Sequence, residues 1–402
     1  MLRSTEISLE GFLDPDNPAV RSLPQRDASN TRLSEGDLLV VRSSGSDSHL
    51  GKTGYVDHSA SNMHFSNFLQ RLRFQADHSP KFAWYFLNST DAKQQIRKMS
   101  STTTGLQNLS ASLIRDLEIP YYPLEEQRRI ADFLNGETAS IDSLSKARNH
   151  QLTLLEERAS SLILNTVRGQ MEPGLRKQSG INWLGSIPAN WPTMPVSYQF
   201  ETLLGKMLNP ERAQGKHLAP YLRNTNVQWD HITTDDLLEM NFPPEEHHRY
   251  AVHPGDLLVC EGGEPGRAAI WHGKADKIYY QKALHRIRAR GYTSSRWLFY
   301  CLRAATAQNV FAVEGNNTTI SHLTGEQLRG YRFPFPERKV QDRLVASLDS
   351  SSCRQKDFSQ ALHSQLALLT ERRQALITAA VTGQFDVSTA SGRNVTDGVP
   401  TS

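Results

Sequence analysis

Q-L-T-L-L-E-E-R at residues 151–158 returns as Q-L-A-L-L-T-E-R at residues 365–372, and this recurrence decides the fold. Sliding the chain against itself by 214 residues lays residues 109–170 on residues 323–384 without a gap, with 19 identities in 62 positions. That agreement exceeds chance, and a unit of about 200 residues is too long for a solenoid repeat. The sequence therefore predicts two copies of one module.

The similarity continues upstream at shifted offsets, as it should if loops differ in length. G-D-L-L-V at residues 36–40 recurs unchanged at residues 255–259, and residues 1–5 align with residues 221–225. Before that alignment the second copy has about 40 further residues, which include I-N-W-L-G-S-I-P-A-N-W at 181–191. We therefore expect a first domain shortened at its N-terminus: either upstream sequence supplies that segment, or this domain is poorly active alone.

Each module ends in a predicted long amphipathic helix, the first over residues 137–168. Apolar side chains recur at spacings of three and four residues, in a stripe narrow enough for a helix–helix seam. The seam residues are Ile141, Leu144, Leu152, Leu155 and Leu162 in the first copy and Phe358, Leu362, Leu366, Leu369 and Leu376 in the second. Thirty-odd residues make a rod of roughly 45–50 Å. We predict that the two helices pair; the alternative is that they are simply helices of a globular bundle.

The remainder of each module carries strand and turn signals. L-L-V-V-R at residues 38–42 and L-L-V-C-E at 257–261 predict buried strands, and residues 81–87 and 296–302 predict one short buried helix per copy. The fold class is α+β: two mixed α/β domains, each followed by a long helix, the helices pairing as an antiparallel coiled coil with pseudo-twofold symmetry. The predicted order is domain 1–123, spacer 124–172, domain 173–336, spacer 337–386 and a loose tail 387–402.

Composition narrows the class of protein. The 402 residues have a net charge of +3, from 45 basic and 42 acidic side chains, which neither demands nor forbids a nucleic acid partner. The three cysteines, Cys260, Cys301 and Cys353, form no C-x-x-C pair, so a zinc site and a disulfide framework are poor interpretations. No secretory signal or membrane-length apolar run is visible, and we expect a cytoplasmic protein.

Catalytic motifs are weak. Gly51-Lys52-Thr53 follows a predicted strand, but a phosphate-binding loop needs a glycine at position 46, where the chain has Ser46. The adjacent pair His247-His248 belongs to no metal-binding pattern. We therefore predict no catalytic site and no metal site in this chain.

Basic residues beside glycine-rich loops point instead to binding. The candidate DNA-binding residues are Arg42, Lys52, Arg71 and Arg73 in the first copy and Arg267, Arg286, Arg288 and Arg290 in the second. H-R-I-R-A-R at residues 285–290 alternates like a strand, which predicts Arg286, Arg288 and Arg290 on one face. Such a face suits phosphate and base-edge contacts. The alternative is a solvated basic surface without a ligand.

These motifs together resemble the specificity subunit of type I restriction–modification systems. The resemblance rests on P-L-E-E-Q-R-R-I-A-D-F-L at residues 123–134, the helix that follows, and W-L-G-S-I-P-A-N-W at residues 183–191. It covers essentially the whole chain. The second copy is more divergent, with P-E-R-K-V-Q-D-R-L at residues 336–344.

The resemblance implies a non-catalytic scaffold that reads DNA. Each target recognition domain would read one half of a split, asymmetric target, and the paired helices would set the gap. Two methyltransferase (modification) subunits and restriction subunits would be the partners, bringing S-adenosylmethionine, ATP and Mg. The family offers no catalytic residue to carry over. Two alternatives stand beside this interpretation: a coiled-coil scaffold that does not read sequence, and a nucleotide-using enzyme built around Gly51-Lys52-Thr53.

Overall fold

The computed structural model describes residues 1–16, 18–46, 48–103, 106–209, 213–273, 277–291, 293–313, 322–384 and 386–387. The predicted tail 387–402 lies outside the described residues except for residue 387. The chain forms two compact units, one of Met1–His150 with Ala361–Ser402 and one of Gln151–Gln360. The predicted linear domains give the order along the chain, whereas each compact unit combines one globular part with half of each long helix.

The globular part of the first unit is built on two small sheets. In chain order its elements are a 3₁₀ turn Ser4–Glu6, α1 (Gln25–Thr31), β1 (Leu38–Val41), β2 (Ser43–Ser44), β3 (Thr53–Tyr55), β4 (Leu69–Leu72), α2 (Pro80–Leu87), α3 (Thr90–Met99), β5 (Ser101–Thr103), β6 (Leu106–Asn108) and α4 (Ala111–Arg115). The first sheet is antiparallel and has the order β3-β1-β4. The second has the order β2-β6-β5.

The central strand β1 is buried on both faces, which explains its unbroken apolar sequence. Leu38 and Val40 belong to one apolar core, while Leu39 and Val41 belong to another. Successive side chains of a strand point to opposite faces, so this sheet is covered on each side. The first of these cores also contains α2, whose N-cap Ser79 accepts a hydrogen bond from the Phe82 amide.

The first long helix, α5 (Leu124–Val167), is 44 residues long and corresponds to about 66 Å. The predicted start at residue 137 and the shorter rod were therefore wrong. The helix begins directly after Pro123, and its opening turns bury Ile130, Ala131 and Leu134 in the core of the first unit. The packing of these turns against the globular part extends the helix beyond the regular seam pattern.

The second unit repeats this plan with an additional strand. Its elements are β7 (Arg176–Gln178), β8 (Ser186–Pro188), β9 (Thr193–Pro195), α6 (Val196–Gln199), β10 (Phe200–Leu204), β11 (Leu218–Leu222), a 3₁₀ turn Asn224–Asn226, β12 (Val227–Gln228), β13 (His231–Ile232), β14 (Leu238–Asn241), a 3₁₀ turn Pro244–Glu246, α7 (His247–Tyr250), β15 (Leu257–Cys260), β16 (Ala268–Ile270), β17 (Tyr279–Tyr280), β18 (Leu284–Ala289), α8 (Ser295–Ala307), α9 (Val310–Val313), α10 (Gly325–Gly330), β19 (Arg332–Pro334) and α11 (Arg338–Val381).

The main sheet of the second unit has the order β10-β18-β15-β16. Its strands β18, β15 and β16 correspond to β4, β1 and β3 of the first unit, with the same antiparallel pairings. Strand β15 is also covered on both faces: Leu257 and Val259 belong to one core, and Leu258 and Cys260 to another. The duplication seen in sequence is thus a duplication of structure.

Within each unit the two long-helix segments run antiparallel. In the first unit Asp142 pairs with Arg373 at 2.8 Å between Oδ1 and Nε, and the Tyr122 hydroxyl lies against Gly383. In the second unit Gln355 Nε2 donates to the Leu155 carbonyl at 3.1 Å, and Arg343 pairs with Glu172. Position along one helix rises as position along the other falls. The predicted fold class, with paired antiparallel helices, is confirmed.

The seam between the helices is narrower than predicted. Ile141, Leu362 and Leu376 are buried, and Leu152, Leu155, Leu366 and Leu369 are half-buried. The assignment of Leu144, Leu162 and Phe358 to the seam was wrong, because all three are exposed. Their neighbours Ser145, Ile163 and Ser359 turn inward instead. A two-helix seam accepts only one residue in about every 3.5, so adjacent apolar positions fall outside it.

Candidate nucleic-acid interface

Lys52 and Arg267 occupy equivalent places and point into their own units. In the first unit Lys52 Nζ donates to the carbonyls of Ser4 and Ile7, at 3.3 and 2.6 Å. In the second, Arg267 Nη2 donates to the carbonyl of Asn224 at 3.0 Å, and Asn224 opens the 3₁₀ turn that matches the turn at Ser4. Burial lowers the pKa of Lys52. Lys52 directly precedes β3, and Arg267 directly precedes β16. Each cation therefore connects the start of that strand to the 3₁₀ turn of its own unit.

Arg71 and Arg286 form a second equivalent pair, on β4 and β18. Arg71 Nη1 donates to the Arg32 carbonyl at 2.8 Å. Arg286 Nη1 donates to the Ala251 carbonyl, also at 2.8 Å, and Nη2 contacts Glu201 at 3.2 Å. Arg286 is among the largest fully buried side chains of the described residues. Its guanidinium group therefore binds internal carbonyl and carboxylate oxygens and does not face solvent.

Arg73 and Arg288 form a third pair, each bound through two nitrogens to one aspartate. Arg73 contacts the Asp37 oxygens at 2.7 and 2.6 Å, and Arg288 contacts the Asp256 oxygens at 2.7 Å each. Both aspartates are buried at the start of a central strand. These hydrogen bonds raise the pKa of both arginines. A two-nitrogen pair of this kind fixes geometry more firmly than a single charge contact.

The structure therefore corrects most of the predicted DNA-binding set. Lys52 and Arg286 were wrong, because their charged groups are buried on internal oxygens. Arg71, Arg73, Arg267 and Arg288 are partly accessible, but each holds an internal partner described above. Arg286 and Arg288 do lie on one face of β18, as predicted. Both side chains on that face bind oxygen atoms inside the unit. Sequence alone could not separate a basic reading face from a duplicated set of structural cations.

The loop after each central strand is closed by a glycine in the left-handed region. Gly51 has φ +77° and Gly266 has φ +91°. The Gly51 amide donates to the Val41 carbonyl and the Gly266 amide to the Cys260 carbonyl. A Cβ would lie 2.6 Å from Ile96 at Gly51 and 2.5 Å from Phe311 at Gly266. Since Lys52 also points inward, Gly51-Lys52-Thr53 forms a structural turn, and this geometry speaks against the nucleotide-site alternative.

Arg42 and Glu261 occupy equivalent positions, which make the same backbone hydrogen bonds in the two units but carry side chains of opposite charge. The Arg42 amide donates to the carbonyl of Phe68, before β4, and its carbonyl accepts from Leu109. The Glu261 amide donates to the carbonyl of Ala283, before β18, and its carbonyl accepts from Leu323. Both side chains are half-buried, and no ion pair within the described parts of the chain holds either. This position, following the central strand, presents a cation in one unit and an anion in the other.

Arg290 lies just beyond β18 and is exposed. Its amide donates to the Gln199 carbonyl at 2.8 Å, so the backbone is anchored while the side chain faces solvent. Arg42 and Arg290 are thus the two members of the predicted set that the geometry leaves accessible without an internal charge partner among the described residues, and both stay predictions. Exposed Lys216, Arg249 and Lys277 of the second unit were not predicted.

Sequence reasoning also missed the role of Gln127 and Gln341, which join each globular part to its long helix. Gln127 accepts a hydrogen bond from the Ser79 amide at 2.9 Å and donates to the Tyr122 carbonyl at 2.8 Å. Gln341 accepts from the Ser294 amide at 3.0 Å and donates to the Pro336 carbonyl at 2.8 Å. Both glutamines are buried. The matching Gln in the aligned repeat was the available signal.

A second link joins the same elements in each unit. The Tyr85 hydroxyl on α2 donates to Asn135 on α5 at 2.9 Å, and the Tyr300 hydroxyl on α8 donates to Asp349 on α11 at 2.5 Å. Burial raises the pKa of Tyr85. Together with the glutamine contacts, these bonds set the position of each globular part on the helix segment of its own unit.

No group of acidic, histidine or cysteine side chains with the geometry of a metal site occurs in the described ranges. No helix among those ranges has the length and apolar character to cross a membrane. The fold and the accessible residues define a class of protein: a duplicated module in which two like scaffolds, each packed on paired helices, present unlike accessible side chains.

Comparison with known proteins finds relatives of one kind. Residues 18–154 match the model of the type I restriction modification DNA specificity domain. The chain is 21% identical over 377 residues to the putative type I restriction enzyme MjaX specificity subunit of Methanocaldococcus jannaschii, covering 92% of this chain and 83% of that protein. It is 23% identical over 170 residues to the EcoKI specificity subunit of Escherichia coli, covering 42% of this chain and 37% of that protein.

A solved structure shares the fold. A chain from work described as the structural basis of complex assembly and conformational transition of the type I R-M system aligns with a TM-score of 0.67 at 16% identity. The alignment covers 96% of this chain and 91% of the other. The resemblance noted from the sequence is confirmed: the chain is similar to specificity subunits of type I restriction–modification systems in sequence and shares the fold of the solved structure.

Proposed function

We propose that this chain is a non-catalytic subunit that reads a bipartite, asymmetric DNA target, one half with each target recognition domain. The observation that carries the proposal is the position shared by Arg42 and Glu261. The same backbone hydrogen bonds hold it in both units, while the side chain changes from a cation to an anion. Two like scaffolds with unlike contact groups are suited to two different half-sites.

The chemistry of base edges favours this interpretation. An arginine donates two hydrogen bonds to O6 and N7 of guanine, whereas a carboxylate accepts from N4 of cytosine. A good contact of this kind discriminates by about 1–3 kcal/mol against the wrong base. Arg290 and the other exposed cations of the second unit would contribute phosphate contacts, which set register and make affinity depend on salt.

The remaining elements of the proposal concern the partners. The paired helices would hold the two recognition domains at a fixed separation and so set the gap between half-sites. Two methyltransferase subunits would dock on this chain and carry S-adenosylmethionine, and restriction subunits would bring ATP and Mg. The names of the relatives, all specificity subunits, support a role within such a complex. The cytoplasmic location expected from the sequence belongs to the same proposal.

The test is selection from a randomised duplex library by the full chain reconstituted with its modification subunits. We expect one enriched motif with two unlike halves and a fixed gap. Arg42→Ala should weaken the preference for one base pair in one half-site by about 5- to 150-fold, corresponding to 1–3 kcal/mol. Glu261→Ala should act in the same way on the other half-site only.

Arg372→Ala serves as the matched control, because Arg372 is an exposed arginine on α11. It should leave both half-sites of the selected motif unchanged. Salt-sensitive binding without any motif would overturn the proposal in favour of a coiled-coil scaffold that does not read sequence. A change in both half-sites from Arg42→Ala alone would contradict the assignment of one half-site to each domain.

A further inference from the structure

The outer edge of β4 in the first unit has no strand beside it among the described residues. Strand β4 pairs with β1 only, whereas its counterpart β18 lies between β15 and β10. A groove of about 400 Å³ follows this open edge. Its lining combines residues 70–74 with the apolar side chains of Leu87, Ile114, Leu117 and Ile119. Unpaired strand edges offer backbone donors and acceptors to a further strand.

The groove matches residue by residue the place that β10 fills in the second unit. Strand β4 pairs Leu72 with Leu38, and β18 pairs Ile287 with Leu257, so the two sheets share one register. In that register residues 70–74 correspond to residues 285–289. Residues 285–289 pair one to one with residues 204–200 of β10. Every strand residue that lines the groove is therefore the equivalent of one that binds β10.

A second cavity adjoins the groove, since Phe74 and Ile119 line both. It has a volume of about 130 Å³ and is lined by Phe82, Pro120, Tyr121 and their neighbours. In the second unit, Pro334 takes the place of Pro120 and lies in β19, which pairs with β9. There Trp191 packs edge-on against Trp297, the counterpart of Phe82, with ring centroids 6.0 Å apart. One segment, residues 181–204, thus fills both equivalent places in the second unit.

The exposure of matching side chains shows what that segment covers. Ile119 is 41% exposed and Tyr121 is 86% exposed. Their counterparts in the second unit, Phe333 and Phe335, are 1% and 3% exposed. Exposed aromatic and branched apolar groups side by side are a mark of an interaction surface.

Charge indicates which side chain a strand bound at this edge would carry. In the second unit Glu201 of β10 contacts Arg286 of β18. The counterpart of Arg286 is Arg71, which has no carboxylate partner within the described ranges of the first unit. A strand that carries a carboxylate at the Glu201 position would provide one. The groove therefore selects an extended apolar segment with one acidic residue facing Arg71.

We propose that the first unit binds an extended segment of the same kind as residues 181–204. The segment adds an antiparallel strand to β4, places an aromatic side chain over Phe82, and pairs with the backbone near Pro120. Main-chain hydrogen bonds supply affinity in such strand addition, and side-chain pockets supply specificity. The proposal concerns the edge of the sheet and is independent of whether the chain reads DNA.

The experiment uses the full chain and a fluorescein-labelled peptide with the sequence of residues 181–204. We expect saturable binding in anisotropy, and slower hydrogen exchange at residues 69–74 and 117–121. Residues 284–289 should not change, since β10 already covers them. A peptide carrying Leu203→Pro should bind at least about tenfold more weakly, because residue 203 sits at a hydrogen-bonded position of the β10–β18 ladder, and proline removes that donor and distorts the strand.

Two chain variants test the contacts. Tyr121→Asp should weaken binding without affecting the fold, because Tyr121 is exposed. Tyr198→Asp, at another exposed tyrosine, is the matched control and should leave binding unchanged. Arg71→Glu should bind the wild-type peptide poorly and the Glu201→Lys peptide better, a reciprocal rescue that loss of folding cannot produce.

Three results would overturn the proposal. They are absence of saturable binding, equal affinity of the Leu203→Pro peptide, and protection confined to residues outside the groove.

Discussion

Gln341 joins the second globular part to α11, and its replacement by alanine should destabilise the second unit. The side chain is buried and accepts from the Ser294 amide while donating to the Pro336 carbonyl. Ser294 is the N-cap of α8, the helix that runs through the core. Gln341→Ala leaves the Ser294 amide buried without a partner, since the cap hydroxyl already accepts from Trp297.

The magnitude follows from these contacts. An unsatisfied buried donor costs about 1–3 kcal/mol. The abandoned Pro336 carbonyl and the small cavity add to this, and we expect a total of about 2–4 kcal/mol. At about 2 kcal/mol per molar urea, the unfolding midpoint of the second unit should fall by about 1–2 M.

The assay is urea unfolding followed by hydrogen exchange at residues 295–307. Five of the six tryptophans lie in the second unit, and Trp84 lies in the first, so a Trp84→Phe background isolates the second unit by fluorescence. Gln127→Ala is the matched variant and should instead destabilise the first unit through Ser79. A midpoint shift below about 0.2 M for Gln341→Ala would refute the view that this glutamine anchors the helix to the domain.

Three further predictions concern the side chains that the structure assigns to scaffolding. Burial lowers the pKa of His285 below its ordinary value of 6.5, so the folded state favours the neutral ring. The free energy of unfolding should therefore be at its full value above about pH 6.5 and decrease below that pH. His285→Gln, which introduces the residue that the first unit has at Gln70, should reduce this decrease when unfolding is measured as a function of pH. Arg288→Ala should cost about 1.5–3 kcal/mol in chemical denaturation by removing both bonds to buried Asp256, whereas Arg290→Ala should leave stability within about 0.5 kcal/mol. Gly266→Ala should lower thermal stability by about 1–3 kcal/mol through its φ of +91° and the clash with Phe311, and an unchanged melting temperature would contradict this.

The arginines explain why the fold was easier to predict than the interface. Arginine on a strand has the same sequence appearance whether it faces DNA or a buried aspartate. Arg73 and Arg288 look like surface residues until Asp37 and Asp256 are brought beside them across the sheet. The repeat contained the missing signal, because a residue kept at the same place in both copies serves what the copies share. Residues that differ, such as Arg42 and Glu261, serve what separates them.

The duplication, the order of the elements and the pairing of the two long helices could be predicted without a structure. These follow from local apolar periodicity and from identities at a fixed offset, which a single chain displays without any knowledge of contacts. The tertiary structure alone decided which side chains face solvent. Leu144 and Leu162 fell outside the seam, Lys52 and Arg286 fell inside the domains, and β4 kept an open edge. Burial depends on neighbours that are distant in sequence, so no local pattern specifies it.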